Sequence, residues 1–200
     1  MSNVLELARK LVAELEKQEK SDKVELSTLN PGETFKIGKH DFIVLEQMQR
    51  QTAVISKGFM EKNVKFDEEI TDYNNSNLKK VIETKIQPVI EDNVGSNNIV
   101  EHEVDLISAD MQDQYEKCKC KVRPITFDEA RKYNDLIVSG SLKDWWWTCT
   151  PWSTKKRGWK YRVTVVSPSG YFGYDGCRSI IGVRPFCILK SNIFVSKGDK

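Results

Sequence analysis

Residues 145–189 read WWWTCTPWSTKKRGWKYRVTVVSPSGYFGYDGCRSIIGVRPFCIL and form the most informative part of the sequence. It opens on three consecutive tryptophans and closes on Gly-Val-Arg-Pro at 182–185. Side chains of a strand alternate between its two faces, so an extended triplet points Trp146 away from Trp145 and Trp147. At least one of these rings is then expected to anchor a core, while the others cover a flank or reach the surface.

The segment after the triplet has the composition of a contact surface. Large aromatic rings stand there among Gly, Ser and Asp, which combine rigid amphipathic area with small adaptable residues. A few residues of this kind usually dominate the binding energy of an interface. We predict a ligand-binding surface formed by Trp152, Trp159, Tyr161, Tyr171, Tyr174, Asp175 and Arg178.

Nucleic acid is the alternative ligand. Basic residues interleave with Trp and Tyr between 152 and 162, a mixture that neutralises phosphates and stacks on bases. The formal net charge of the chain is only +2, so this alternative depends on one local cluster. An acidic protein would suit the same cluster equally well. The residues of this alternative are Lys155, Lys156, Arg157, Lys160 and Arg162.

Antiparallel strands are predicted upstream. Residues 34–37, 41–46 and 52–56 are runs of β-branched and aromatic residues, separated by short polar turns. This punctuation indicates a meander. Residues 99–107 are compatible with an irregular strand.

Three helices are predicted, the first at the N-terminus. Apolar residues spaced by four, three and four positions indicate an amphipathic helix over residues 4–20. A second helix begins after Ser76 or Asn77 and is limited by Pro88, and a third begins at a capping box that opens on Thr126. The first helix is marginal alone. It therefore packs on the domain, on a binding partner, or on the same helix of a second copy.

Composition places the chain among cytoplasmic globular proteins. Hydrophobic residues make up 39% of its 200 residues and charged residues 30%, and no apolar run approaches the roughly 20 residues that span a bilayer. The N-terminus lacks the features of a signal peptide. Five cysteines without framework spacing indicate reduced thiols and a reducing compartment.

The sequence contains few residues in patterns that indicate catalysis or metal binding. His40 and His102, the two histidines of the chain, are expected to be solvated polar residues. Cys118 and Cys120 form a Cys-x-Cys pair, whereas zinc sites normally use Cys-x-x-Cys knuckles. Asp175 is the one acidic residue before the last strands, too few oxygen ligands for calcium. We therefore predict a non-enzymatic module without catalytic residues, bound metal or cofactor.

Seven motifs in order resemble a family of uncharacterised domains common in Firmicutes genomes and their phages. They are Pro-Gly at 31–32, FIVL at 42–45, AVISK at 53–57, YNNSNL at 73–78, TFDEA at 126–130, WWWT at 145–148 and GVRP at 182–185. The Trp run and Gly-Val-Arg-Pro are the most specific of these. Residues 148–151 read Thr-Cys-Thr-Pro where the family usually has Leu-Arg-Ser-Pro, which puts any role of that arginine in doubt.

The resemblance implies a C-type-lectin-like fold, similar to that of formylglycine-generating enzymes and of retroelement variable proteins. The implied organisation is an N-terminal amphipathic helix at 1–26, an α+β domain with antiparallel sheets and two or three short helices at 27–190, and a tail at 191–200. It also implies a phage or prophage origin, with a host or defence factor as partner. A metal-dependent oxidase-like enzyme is a further alternative, although Cys177 and Cys187 do not match the oxidase motif well.

One compositional feature supports the retroelement comparison. Residues 161–189 contain no Lys, Glu, Gln, Met or Trp, although Lys and Glu abound elsewhere. Adenine-directed mutagenesis of Asn-type codons cannot produce those five residues. A Gly-rich β segment that disfavours Lys and Glu explains the same bias without mutagenesis.

Overall fold

The chain folds into an α+β structure with mostly antiparallel sheets and a few short helices, as the sequence predicts at that level. The computed structural model describes residues 4–7, 9–12, 23–138, 140 and 142–198. Its strands are β1 (Lys23–Glu25), β2 (Thr34–Ile37), β3 (His40–Met48), β4 (Gln51–Ser56), β5 (Glu61–Lys65), β6 (His102–Val104), β7 (Cys118–Cys120), β8 (Val122–Pro124), β9 (Trp146–Pro151), β10 (Arg162–Val166), β11 (Phe172–Gly176), β12 (Ile180–Val183), β13 (Pro185–Lys190) and β14 (Phe194–Lys197). Short 3₁₀ turns lie at Leu26–Thr28, Tyr73–Asn75, Ser96–Asn98 and Lys155–Arg157.

These strands build two large sheets and a small one. The seven-stranded sheet has the order β1-β14-β2-β3-β4-β13-β8, and the five-stranded sheet has the order β11-β10-β9-β12-β5. Strands β6 and β7 pair separately. Neighbouring strands are antiparallel except β12 and β9, which meet in parallel at Gly182 and Trp146.

The predicted meander is confirmed as β2, β3 and β4. Phe35 pairs with Phe42 between the first two strands, and Ile43 pairs with Ile55 between the next two. A register shift after Val44 lets β3 continue to Met48, beyond its predicted end at 46.

The domain includes more residues at both of its ends than predicted. Residues 194–197, which the sequence analysis assigns to a tail, form β14 and lie between β1 and β2. Lys23–Glu25, assigned to the N-terminal segment, forms β1 and pairs with β14. Neither strand has a strong local signal, because each is short and only partly apolar. Their mutual pairing supplies the hydrogen bonds that isolated strands would lack.

The N-terminal helix is present over residues 4–7 and 9–12. The remainder of its predicted span, including Ala8 and Leu15, lies outside the described residues. Exposed apolar side chains are numerous in the described part, among them Val4, Leu7 and Leu11. Which surface covers them stays a prediction.

The second predicted helix begins where expected and ends later. Ser76 accepts a hydrogen bond from the Lys79 amide, and the helix runs through Asn77–Val81, a π-helical turn at Ile82–Ile86, and Gln87–Val94. The prediction that Pro88 limits it is wrong. A π turn widens the helix directly before the proline, which lacks an N–H and would clash with a regular preceding turn.

The capping box at Thr126 is confirmed. Its hydroxyl accepts from the Glu129 amide at 3.1 Å, and the Glu129 carboxylate accepts from the Thr126 amide at 2.9 Å. Short helices follow at Phe127–Lys132 and Asn134–Ile137. In the part of the chain that is described, no helix is both long and apolar enough to cross a bilayer.

The tryptophan triplet is extended and joins two cores. Trp147 is fully buried in the larger core, where its indole N–H donates to the Val64 carbonyl at 2.8 Å. Trp146 is fully buried in the second core, which also contains Ile137 of the Asn134–Ile137 helix. Trp145 is partly exposed. The predicted alternation of the rings is therefore confirmed, and β9 is the strand that fixes the candidate site to both cores.

Candidate functional site

The candidate site lies where the loop between β9 and β10 meets β11. The Trp152 amide donates to the Arg162 carbonyl at 2.9 Å, which closes the loop at its base. Inside it, the amides of Arg157 and Trp159 both donate to the Thr154 carbonyl at 3.1 Å. Gly158 adopts a left-handed conformation with φ of 85°, which ends the 3₁₀ turn without the strain that a side chain would bring. These hydrogen bonds and the glycine give the loop a defined conformation.

Asp110 anchors this loop from a distant part of the chain. Its carboxylate accepts from the hydroxyls of Ser108 and Ser153, each at 2.6 Å, and Arg157 lies 3.7 Å away. Although burial acts to raise it, these hydrogen bonds and the arginine charge hold the pKa of Asp110 below its usual value. The carboxylate is therefore charged at neutral pH and holds the start of the loop.

Three of the predicted rings form one cluster. The Trp152 and Tyr174 centroids are 4.8 Å apart, and the Trp159 and Tyr174 centroids are 5.6 Å apart with the rings nearly perpendicular. Both distances are typical of favourable ring contacts. Trp159 and Tyr174 keep 41% and 44% of their surface exposed, and Trp152 is half-buried. The prediction that Trp152 is a surface ring is therefore met only in part.

Tyr161 forms a second group beside the first. It is 41% exposed, and Lys160 Nζ lies 4.4 Å from its ring centroid. The Arg178 guanidinium lies 5.9 Å from the same ring, and Arg178 Nε donates to the Glu68 carbonyl. We call Trp152, Trp159, Tyr161 and Tyr174 the aromatic surface.

Cations surround the aromatic surface, and most of them lack an acidic partner among the residues that the structure describes. Arg162 lies 5.5 Å over the Tyr174 ring. Among the described residues, Arg157 is the one predicted basic residue of this loop that has an acidic partner, at Asp110. The others with exposed side chains and no ion pair to a described acid are Lys155, Lys156, Lys160, Arg162 and Arg178.

Two predicted site residues do not join the aromatic surface. Tyr171 is 74% exposed at the β10–β11 turn, where its amide donates to the Ser167 hydroxyl, and no described ring contacts it. Asp175 accepts from the Gly176 amide at 2.7 Å and from the Ser179 hydroxyl at 2.6 Å. Its carboxylate therefore shapes the turn after β11.

The histidines differ from the sequence expectation. His102 is half-buried and not solvated: its Nε2 accepts from Arg123 Nε at 3.0 Å, and its Nδ1 lies 3.2 Å from the Val100 carbonyl. Burial, followed by the arginine charge, lowers the pKa of His102. Its one lone pair is already used, so it is not free to act as a base. His40, expected in a turn, begins β3 and pairs with Ile37.

All five cysteines, each of which lies in the described part of the chain, are buried and unpaired. Burial raises the pKa values of Cys149 and Cys187 to about 12, so both thiols stay protonated at neutral pH. Within the described residues, no group of three His, Cys, Asp or Glu side chains is placed to hold a metal ion.

Two contributors to this region were not among the predicted site residues. Asp110 has no local motif, because its role arises only when the chain brings Ser153 beside it. Trp145 covers the face of β11 opposite Tyr174: a Cβ placed on Gly173 would lie 3.2 Å from its ring. The glycine beside an aromatic run was the available signal for that close approach.

No protein-family model, curated protein sequence or solved structure matches the chain.

Proposed function

We propose that the protein is a non-enzymatic recognition module that binds a protein partner through the aromatic surface. One observation carries the proposal: Trp159, Tyr161 and Tyr174 are each about two-fifths exposed on a loop and strand that hydrogen bonds already hold in place. Binding through such a surface costs little ordering entropy. Large rings that are partly desolvated before contact are also the side chains that most often dominate an interface.

The module is a C-type-lectin-like domain of phage or prophage origin in this proposal, and its partner is a host or defence factor. The motif order and the α+β architecture with two large, mostly antiparallel sheets support the first part. The exposure of Tyr171, Tyr174 and Arg178, all within the segment free of Lys and Glu, supports a history of diversification. The five unpaired cysteines support a reducing compartment.

Single-stranded nucleic acid is the second candidate, favoured by the five basic residues that have no acidic partner in the described part of the chain. The surroundings of Tyr161 and Tyr174 argue against nucleic acid. Base stacking needs free ring faces. Arg162 already lies over Tyr174, and both Lys160 and Arg178 lie over Tyr161. A nucleobase would have to displace these cations, whereas carboxylates of a protein could bind them where they are.

The test is capture from cells of the organism that encodes the protein, followed by affinity measurement with the purified partner. The variant Trp159→Ala/Tyr161→Ala removes two exposed rings of the aromatic surface. Its matched control is Phe194→Ala, which removes a ring that is 67% exposed on β14 in the other large sheet. We expect the double variant to weaken binding about 30-fold or more, as hot-spot rings do, and the control to bind normally.

Unchanged binding by the double variant, at an unchanged thermal midpoint, contradicts the proposal. A labelled oligonucleotide measured in parallel decides between the two candidates. Nucleic acid is favoured if the oligonucleotide binds with an affinity that falls steeply with salt and no protein partner is captured.

A further inference from the structure

Four strands lie at the edges of the two large sheets. They are β1 and β8 in the seven-stranded sheet, and β5 and β11 in the five-stranded sheet. An edge strand presents unpaired main-chain N–H and C=O groups, which can template the addition of another strand. Proteins usually protect such edges with short strands, lysines, prolines or local irregularities.

Three of the four edges carry these protections. Strand β1 has three residues and begins with Lys23, and β8 has three residues and ends with Pro124. Strand β5 carries lysines at 62 and 65, and its central residue, Asn63, has a positive φ of 57° that disturbs the ladder. Each edge therefore discourages a further strand.

Strand β11 has none of these features. It is five residues long and reads Phe-Gly-Tyr-Asp-Gly, without lysine or proline, and its pairing with β10 is regular from Phe172 to Gly176. No residue of β11 has a positive φ. Strand β11 therefore lacks the irregularities that protect the other edges.

The direction of the main-chain groups follows from the ladder. The Cys177 amide donates to the Tyr161 carbonyl at 2.8 Å, and the Ser167 amide donates to the Tyr171 carbonyl at 2.9 Å. Hydrogen-bonded and non-hydrogen-bonded pairs alternate along an antiparallel ladder. The N–H and C=O groups of Phe172 and Tyr174 therefore point away from β10. Within the described residues, these four groups have no hydrogen-bond partner.

We propose that β11 receives an extended acidic segment of a partner protein as an added strand. This inference rests on the proposed function and specifies how the partner binds. Main-chain hydrogen bonds to Phe172 and Tyr174 supply affinity, and the rings beside Tyr174 supply an apolar contact. A strand added here lies alongside the aromatic surface, since Tyr174 belongs to both.

Charge identifies the added strand as acidic. Arg162, whose side chain lies across from Gly176, and Arg178, just beyond the strand, have no acidic partner among the described residues. Asp175, the one acid of β11, already accepts from Gly176 and Ser179 on the other face. Carboxylates of an incoming segment would therefore meet two arginines, while the one acid of β11 is already engaged in hydrogen bonds.

The experiment uses the full chain and a displayed library of random twelve-residue peptides as the probe. Selection is repeated against Tyr174→Thr, which removes the ring and keeps the main-chain N–H, and against Tyr174→Pro, which removes both. Proline is tolerated on an edge strand when its nitrogen faces away from the ladder. Circular dichroism and thermal midpoints check that both variants fold.

We expect enriched peptides to be acidic and to bind Tyr174→Pro about tenfold more weakly than Tyr174→Thr, the loss that one main-chain hydrogen bond explains. An N-methyl scan of the best peptide needs no protein variant. It should abolish binding at every second residue and leave the residues between unaffected, because alternate amides of an added strand face the edge.

Three outcomes overturn the inference. They are an N-methyl scan without a period of two, equal binding by the two Tyr174 variants, and the absence of any enriched peptide. Peptides that lose affinity for Trp159→Ala/Tyr161→Ala but not for Tyr174→Pro would retain the proposed function and remove the added strand. A dimer in analytical ultracentrifugation that Tyr174→Pro dissociates would show that a second copy occupies the edge in place of an acidic segment.

Discussion

The Asp110 carboxylate accepts a 2.6 Å hydrogen bond from the Ser153 hydroxyl, although 43 residues separate the two along the chain. This contact holds the loop that carries Trp152 and Trp159 against a segment with no other part in the aromatic surface. A loop fixed in this way presents its rings in one arrangement before any partner arrives, which limits the entropy that binding has to overcome.

Removing this anchor should loosen the loop without unfolding the domain. We expect Asp110→Ala to lower the free energy of unfolding by only about 1 kcal/mol, since the carboxylate is partly exposed. Hydrogen exchange of the Gly158 and Trp159 amides should become faster, and partner affinity should fall. Asp113→Ala is the matched control, as it removes a nearby acid with no such contact. Unchanged exchange in Asp110→Ala would show that the main-chain hydrogen bonds hold the loop without this carboxylate.

Local signals explain which elements were predictable. The capping box at Thr126, the cap at Ser76 and the alternating rings of the triplet each act within four residues, so the sequence contains their cause. Strand β14 is different. Its place between β1 and β2 depends on pairing across more than 150 residues. The strand has only four residues, and they are too polar to indicate a strand from the sequence.

The candidate site also has features that the sequence predicts and features that depend on the folded structure. Composition alone identified exposed rings after the triplet, because Trp and Tyr in a Lys-rich loop are hard to bury. It did not show that Tyr171 lies apart from the cluster or that Asp175 is held in a turn. Those facts depend on the register between β10 and β11, which no local pattern fixes.

Gly182 of the Gly-Val-Arg-Pro motif has a packing requirement that can be tested. A Cβ at this position would lie 2.5 Å from the Phe59 ring, closer than any real contact. We expect Gly182→Ala to destabilise the domain by about 1 to 3 kcal/mol, measured by urea unfolding. Adding Phe59→Leu should recover part of the loss. Gly140→Ala is the control, since nothing described lies near its added methyl group, and additivity in the double variant would contradict direct contact.

His102 should make stability depend on pH. Burial and the Arg123 charge lower the pKa of His102, so the folded protein favours the neutral ring that accepts from Arg123. A lowered pKa contributes stability that is present above the unfolded value near 6.5 and is lost as the pH falls through the folded value. We expect the thermal midpoint to drop more steeply in the natural protein than in His102→Gln as the pH falls below about 6.5.

The glutamine variant is informative because its side-chain oxygen can still accept a hydrogen bond and does not titrate in this range. His40 has a lowered pKa as well, through burial first and Lys39 second, so His40→Gln is measured beside it. Parallel pH profiles of the natural protein and His102→Gln would mean that protonation of His102 has no influence on folding.

Arg184 raises the question of what a buried charge contributes. It is fully buried, its Nε donates to the Ser56 carbonyl at 2.9 Å, and its Nη1 donates to the Ile137 carbonyl at 2.8 Å. No described acid pairs with it, and burial lowers its pKa to about 9. The guanidinium lies 4.7 Å over the Trp146 ring. Among the described residues, the contacts that stabilise its charge are therefore two carbonyl dipoles and one aromatic ring.

Two substitutions separate the charge from the volume of this side chain. Arg184→Ala leaves a cavity and two carbonyls without a donor, and should lower the free energy of unfolding by about 3 to 5 kcal/mol. Arg184→Met leaves the same carbonyls but fills the space and removes the desolvated charge, so it should cost about 2 kcal/mol less than alanine. Urea unfolding measures both. If methionine is as damaging as alanine, the hydrogen bonds to Ser56 and Ile137 dominate, and the charge is retained because the main chain of two elements requires a donor there.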